Sequence, residues 1–299
     1  MAIAQWIGQW AWVIAPWFWI ILYDPSWFES ATEGARTLSI WVAGICMSLA
    51  LVPAIFCTFT NTAEDSNQSA ANDGTLMDSV RDFGSGIMTT LRNRAFRKVC
   101  LATFLVFNAF QVIAAFSWFI IVYYMNAGDP VAAGVWPTLF GSVGALFTCF
   151  LVIPVVNWCA QTYGKLNTFI ASQSVSLLGY ILLWWGFSPE DPWMMFIPLP
   201  LFAFGIGGLF TIMMSMTADI CDMDELETGE RREGTFGAIY WWMVKFGAAV
   251  AGAGSGLILS VIGFDQTVAI QSDETLSMLR LSYVLIPCIG TSIAIFVMR

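Results

Sequence analysis

Between Thr217 and Phe264 the chain carries its densest run of ionisable side chains and then a single isolated cation. Asp219, Asp222, Asp224, Glu225, Glu227 and Glu230 are followed at once by Arg231, Arg232 and Glu233. From Gly234 to Phe264 the only charge is Lys245, eleven residues past Gly234. In a helix that places it roughly 17 Å along the axis. The hydrocarbon core of a bilayer is about 30 Å thick, so Lys245 falls near its middle. A charge there costs about 2.5–3.5 kcal/mol or more, and such residues mark substrate or ion pathways. A lone ammonium at that depth also demands a carboxylate or substrate partner, and no span of this chain offers an interior Asp or Glu.

The elements that must hold these residues are membrane helices. Hydrophobic residues make up 58% of the chain and charged ones 11%, against about 25% charged in soluble domains. The absence of histidine removes the commonest metal ligand and general acid or base. A net charge of −9 argues against nucleic acid as a partner. The seven cysteines form no CxxC pair and read as small apolar fillers rather than zinc ligands or disulfides. With no Ser or Cys beside a base in a span, no catalytic set emerges, so an enzyme is not expected.

Eight apolar segments are long enough to cross: 3–23, 37–58, 99–125, 132–158, 166–187, 193–218, 235–263 and 281–298. Breakers such as Pro25, Gly128, Pro130, Gly164, Pro189 and Pro192 punctuate the connections. Segment 59–98 is different. Its first half reads as a hydrophilic linker, and residues 76–98 as an amphipathic surface helix. With alternating spans, nine Lys and Arg fall on one side and Arg36 and Arg280 on the other. The basic side is expected to be cytoplasmic, with the linker, the charged knot and both termini of this chain. The start lacks a basic segment and is rich in Trp, unlike a cleavable signal.

The ordered run Ala218, Asp219, Asp222, Glu225, Thr228, Gly229, Arg231, Arg232, Glu233 and Gly234, followed by Lys245 and Gly263-Phe264, resembles the glycoside–pentoside–hexuronide:cation symporters. These form the melibiose-carrier-like branch of the major facilitator superfamily. The layout resembles that family too, with a cytoplasmic linker, six spans after it and Gly164-Lys165 between the second and third of these.

The resemblance implies an all-α membrane protein, a partial major-facilitator-type transporter fold whose eight helices resemble helices V to XII of twelve. Residues 1–58 would be the last two helices of an N-terminal bundle, 59–98 a cytoplasmic linker and 99–299 a C-terminal six-helix bundle. The chain would then be an N-terminally truncated fragment. The implied function is secondary active symport of a sugar or glycoside by alternating access, in the inner membrane. The coupling cation, Na⁺ or H⁺, would be held largely by acidic residues of the missing helices, with no resident cofactor or metal. Substrate-facing positions fall on Lys245, Trp241, Tyr240 and Phe210, where the melibiose carriers have smaller polar residues before the lysine and tryptophan in place of Phe210. A cytoplasmic gate would comprise Asp219, Asp222, Glu225, Arg231, Arg232 and Lys165. Asp224, Glu227 and Glu230 are expected to be solvated. Trp241, Lys245, Ala248, Gly252 and Gly256 share one helix face, where the small residues would permit close packing. A lysolipid or other amphiphile carrier, and a non-transporting scaffold or receptor, are the rival functions. Labelled-sugar against lipid uptake separates the first rival.

Overall fold

A computed structural model describes residues 2–23, 27–28, 30–56, 87–229, 232–265, 268 and 270–299. Regular structure among the described residues is helical. Two compact units are present: Met1–Pro16 with Thr89–Arg299, and Trp17–Met88.

In the larger unit the helices are α1 (Ala2–Ile14), α4 (Arg94–Phe119), α5 (Pro130–Ala133), α6 (Trp136–Phe147) and α7 (Ile153–Tyr163). These are followed by α8 (Lys165–Gly186), α9 (Leu199–Thr228), α10 (Glu233–Val261) and α11 (Asp273–Met298). The smaller unit contains α2 (Trp17–Tyr23) and α3 (Ala31–Phe56). There α2 and α3 meet where Gly34 leaves room for Leu22 and Phe28. Seven helices or helix runs among the described residues are long and apolar enough to cross a membrane.

Three boundaries differ from expectation, each for a local reason. The expected span 3–23 breaks between α1 and α2 at Ala15 and Pro16. Pro16 has no N–H for the helix ladder, and its ring clashes with the preceding turn. The expected span 99–125 begins instead at Arg94, so Arg94 to Lys98 belong to a spanning helix and not to a surface one. Asn93 caps it by accepting a hydrogen bond from Phe96 N at 3.1 Å. Residues 87–92 are helical, and the rest of the expected linker, 59–86, lies outside the described residues. The last helix starts at Asp273 rather than 281, because Ser272 caps it through Thr275 N at 3.1 Å. Asp273 and Glu274 then stand in its first turn, where the helix dipole favours anions.

Helix α4 is central and packs against α9, α10 and α11, while α8 packs against α9 and α11. Small residues set the α8–α9 contact. Ser176 Oγ donates to the Phe202 carbonyl at 3.3 Å, and Gln173 Nε2 to the Gly205 carbonyl at 2.9 Å. A Cβ on Gly179 would run into the Phe202 backbone, one on Gly205 into Ser176 and Tyr180, and one on Gly208 into Ser172. Such close backbone approach is the usual adhesive between helices in lipid. The run α6–α7 contains a π-helical turn, Thr148–Val152, just before Pro154. A π turn absorbs the hydrogen bond that a proline cannot make.

At the far end of α8 the Arg280 guanidinium lies 4.2 Å from the Tyr124 ring centroid and 4.6 Å from that of Trp184. It also donates to the Trp184 carbonyl. One cation thereby ties α11, α8 and the π-helical end of α4, Ile120–Met125.

Gly179→Val and Gly205→Leu should each cost about 1–3 kcal/mol or more through overpacking. Gly252→Ala, where a Cβ meets nothing within 4 Å, should leave the melting temperature in micelles nearly unchanged. Thermal unfolding of the three variants checks this contrast.

Candidate functional site

Helix α9 carries the acidic motif. It continues unbroken to Thr228 and stops at Gly229, whose φ of +74° is the left-handed conformation that glycine tolerates best. The five acids from Asp219 to Glu227 are therefore helical rather than in a loop.

Along this segment Met213, Thr217, Ile220, Cys221 and Asp224 are buried, whereas Asp219, Asp222 and Glu227 are exposed. At the exposed edge the Lys165 ammonium donates to both Asp219 carboxylate oxygens, at 2.7 and 2.6 Å. It also donates to the Ser215 carbonyl at 3.3 Å. The two side chains are 35% and 56% exposed, so the pair is worth about 0.2–1 kcal/mol. Helix α8 presents Lys165 here because Gly164, with φ +84°, turns the chain from α7 into its first residue.

Arg232 does not join Asp219 or Asp222. Its Nη2 donates to Asp224 Oδ2 at 2.6 Å and approaches Thr228 Oγ1 at 3.4 Å. The Arg232 and Asp224 side chains are only 13% and 8% exposed. The expectation that Asp224 is solvated is thus overturned. Periodicity held the signal: Met213, Thr217, Ile220, Cys221 and Asp224 follow one helical stripe. Counting charges along the chain concealed it. Asp222 is exposed and Glu225 half-buried. Glu230 and Arg231 lie outside the described residues.

Removing one partner of a buried pair leaves the other charge uncompensated, at about 3–5 kcal/mol. Arg232→Met should therefore lower the unfolding temperature strongly. The double change Arg232→Met with Asp224→Leu should recover most of the loss, and Asp222→Asn should change little. Thermal unfolding in micelles separates the three.

The expected substrate positions on α10 divide between two faces. Tyr240 is fully buried, on the side that also buries Phe236, Val244, Gly247 and Ala251. It belongs to the packing of α10 on α4, so its expected cavity-facing place is corrected. Trp241, one residue on, is 45% exposed, and Lys245 one turn later is exposed as well. The Trp241 ring lies nearly parallel to Phe210, with centroids 6.2 Å apart and planes at 23°. Phe210 meets Phe107 edge-on at 5.8 Å, and Phe107 adjoins Phe110. Sequence reasoning missed these two rings of α4. Gly252 and Gly256, expected in tight packing, have no neighbour within 4 Å of an added Cβ among the described residues. Trp241, Lys245, Gly252 and Gly256 thus lie along an open face of α10.

Beside the Lys165–Asp219 pair is a partly open cavity of about 260 Å³, bordered by Asn157, Gln161, Lys165, Thr211 and Ser215.

Known proteins place this arrangement. A family model described as MFS/sugar transport protein matches residues 3–299. The isoprimeverose transporter of Lactiplantibacillus pentosus is 28% identical over 148 residues, 50% of this chain and 31% of the relative. The glucuronide carrier protein homolog of Escherichia coli (strain K12) is 27% identical over 203 residues, 68% of this chain and 42% of the relative. A putative glycoside/cation symporter of the same strain is 26% identical over 89 residues, 30% of this chain and 19% of the relative. The chain spans less than half the length of each of these relatives. They are named as transporters, not as enzymes. Matched along nearly its whole length and built from multiple apolar helices, the chain is a multi-pass membrane protein of the MFS/sugar transport protein family.

Proposed function

We propose that this chain is part of a secondary transporter that couples entry of a neutral or glycosidic sugar to a cation. The observation that carries this reading is the open face of α10, where Trp241 stacks on Phe210 and Lys245 stands one turn away. Aromatic faces suit the C–H faces of a sugar ring, and an ammonium donates to its hydroxyls. Lys245 would turn toward a second helix bundle, since facing lipid would be costly. There it would pair with a carboxylate supplied by that bundle and sense both ligands. Each ligand then changes the affinity for the other by the same factor.

Within this reading residues 1–58 belong to an N-terminal bundle, 59–98 to a cytoplasmic linker and 99–299 to the C-terminal bundle. The membrane is the inner membrane, with the Lys165 end cytoplasmic. The cation is Na⁺ or H⁺, and there is no resident cofactor. Asp219, Asp222, Glu225, Arg231, Arg232 and Lys165 form the cytoplasmic gate, and the exposed Lys165–Asp219 pair supports its opening at low cost. An aromatic row with one cation also suits an amphiphile, so the assay needs a labelled lysolipid beside the sugars.

The test is ion-driven uptake by the full-length protein in vesicles. Labelled sugar should enter only with a cation gradient. Trp241→Ala and Lys245→Ala should each reduce uptake at least tenfold at unchanged abundance. Lys245→Arg should rescue poorly, because a planar fork differs from a compact ammonium. Asp219→Ala should slow uptake several-fold. Parental uptake in the Lys245→Ala variant would sink the proposal, and lysolipid entry without sugar entry would replace it.

A further inference from the structure

The cavity beside Lys165 is not explained by the aromatic platform, and its chemistry is specific. Its border is polar on both sides: Asn157 and Gln161 from α7, Thr211 and Ser215 from α9, and Lys165 at the start of α8. Thr211 is only 6% exposed, and its hydroxyl has no hydrogen-bond partner among the described residues. Leaving such a hydroxyl unpaired costs about 1–3 kcal/mol. A native chain keeps that cost where a ligand or water can meet it. The volume of about 260 Å³ compares with about 30 Å³ for one water, which leaves room for a ring-sized molecule.

The charge balance narrows the ligand. The Lys165 ammonium is already bonded to both oxygens of Asp219. An anion would have to compete with Asp219, and a cation with Lys165. What remains are carboxamides and hydroxyls, which both donate and accept and carry no charge. That combination matches a neutral polyhydroxylated compound.

We infer that this cavity is a second sugar subsite, distinct from the Trp241–Phe210 platform. The ligand class rests on the symport reading above. Placement supports a path between the two. Phe210 and Thr211 are neighbours on α9, about 100° apart around its axis, so platform and cavity occupy adjoining faces of one helix. Thr211, Ser215 and Asp219 then recur every four residues toward the Lys165 end. A sugar leaving the platform would be handed to the cavity before it passes the ion pair.

The test uses this chain purified in a detergent without a sugar headgroup, with saturation-transfer NMR as readout. Methyl α-glucopyranoside, glucuronate and glucosamine serve as neutral, anionic and cationic probes. The neutral glycoside should show the strongest transfer. Thr211→Val and Asn157→Ala should each weaken it at least threefold, and Trp241→Ala should leave the cavity's share in place. Thr211→Val should also melt no lower than the parent, because it removes an unpaired hydroxyl, so weakened transfer would not reflect misfolding. Unchanged transfer in both cavity variants, as for a cavity holding water alone, overturns the subsite. So does preferential transfer to either charged probe. Sugar uptake by the full-length protein with no cavity binding overturns the subsite alone. Cavity binding without any sugar uptake overturns the symport reading and leaves the site standing.

Discussion

Close approach of α8 and α9 is the constraint on which the other features depend. In lipid there is no hydrophobic force between helices, so contact must come from packing and from polar groups that find each other. Ser172, Ser176 and Gly179 on α8 meet Phe202, Gly205 and Gly208 on α9 at backbone range. Gln173 fastens the contact through the Gly205 carbonyl. Everything downstream on α9 inherits its position from this seam. Phe210 follows within two residues of Gly208, then Thr211, Ser215, Asp219 and Asp224. The same seam fixes α8, whose first residue, Lys165, reaches across to Asp219. Platform, cavity and ion pairs are therefore stations along one rigid element.

The two ion pairs on this element have opposite physical characters. Lys165–Asp219 sits in water and contributes little, so it can open without a large penalty. Asp224–Arg232 is enclosed, and separating it would strand two charges in a poorly solvated place. It staples the end of α9 to the start of α10 across the turn at Gly229. A hinge needs one part that yields and one that does not, and the chain supplies these within five residues, at Asp219 and Asp224.

Much of this was legible in the sequence because membrane helices advertise themselves by length and apolarity. The six spans after the linker, the stop at Gly229 and the isolation of Lys245 follow from composition, turn residues and the spacing of charge. Three features were not legible in that way. Asp224 was hidden because a cluster of acids reads as surface unless helical phase is tracked through it. Tyr240 and Trp241 looked equivalent as adjacent aromatics, yet a rotation of about 100° sends one into α4 and leaves the other exposed. Phe107 and Phe110 belong to the platform only through tertiary packing, which no local pattern encodes. The break at Pro16 was legible in principle but was masked by the unbroken apolarity around it.

The ends of α8 are about 29 Å apart, from Lys165 to Trp184, and they are held by different physics. Arg280 rests between two rings and a carbonyl, a contact made without a carboxylate. Lys165 relies on a counter-charge in reach of dissolved ions. Added salt shortens the range over which exposed charges attract, to about 8 Å at physiological strength and about 3 Å at 1 M. Ionic strength therefore addresses the bundle asymmetrically: it loosens the Lys165 end and leaves the Arg280 end fastened. The helix becomes a lever with a salt-insensitive pivot.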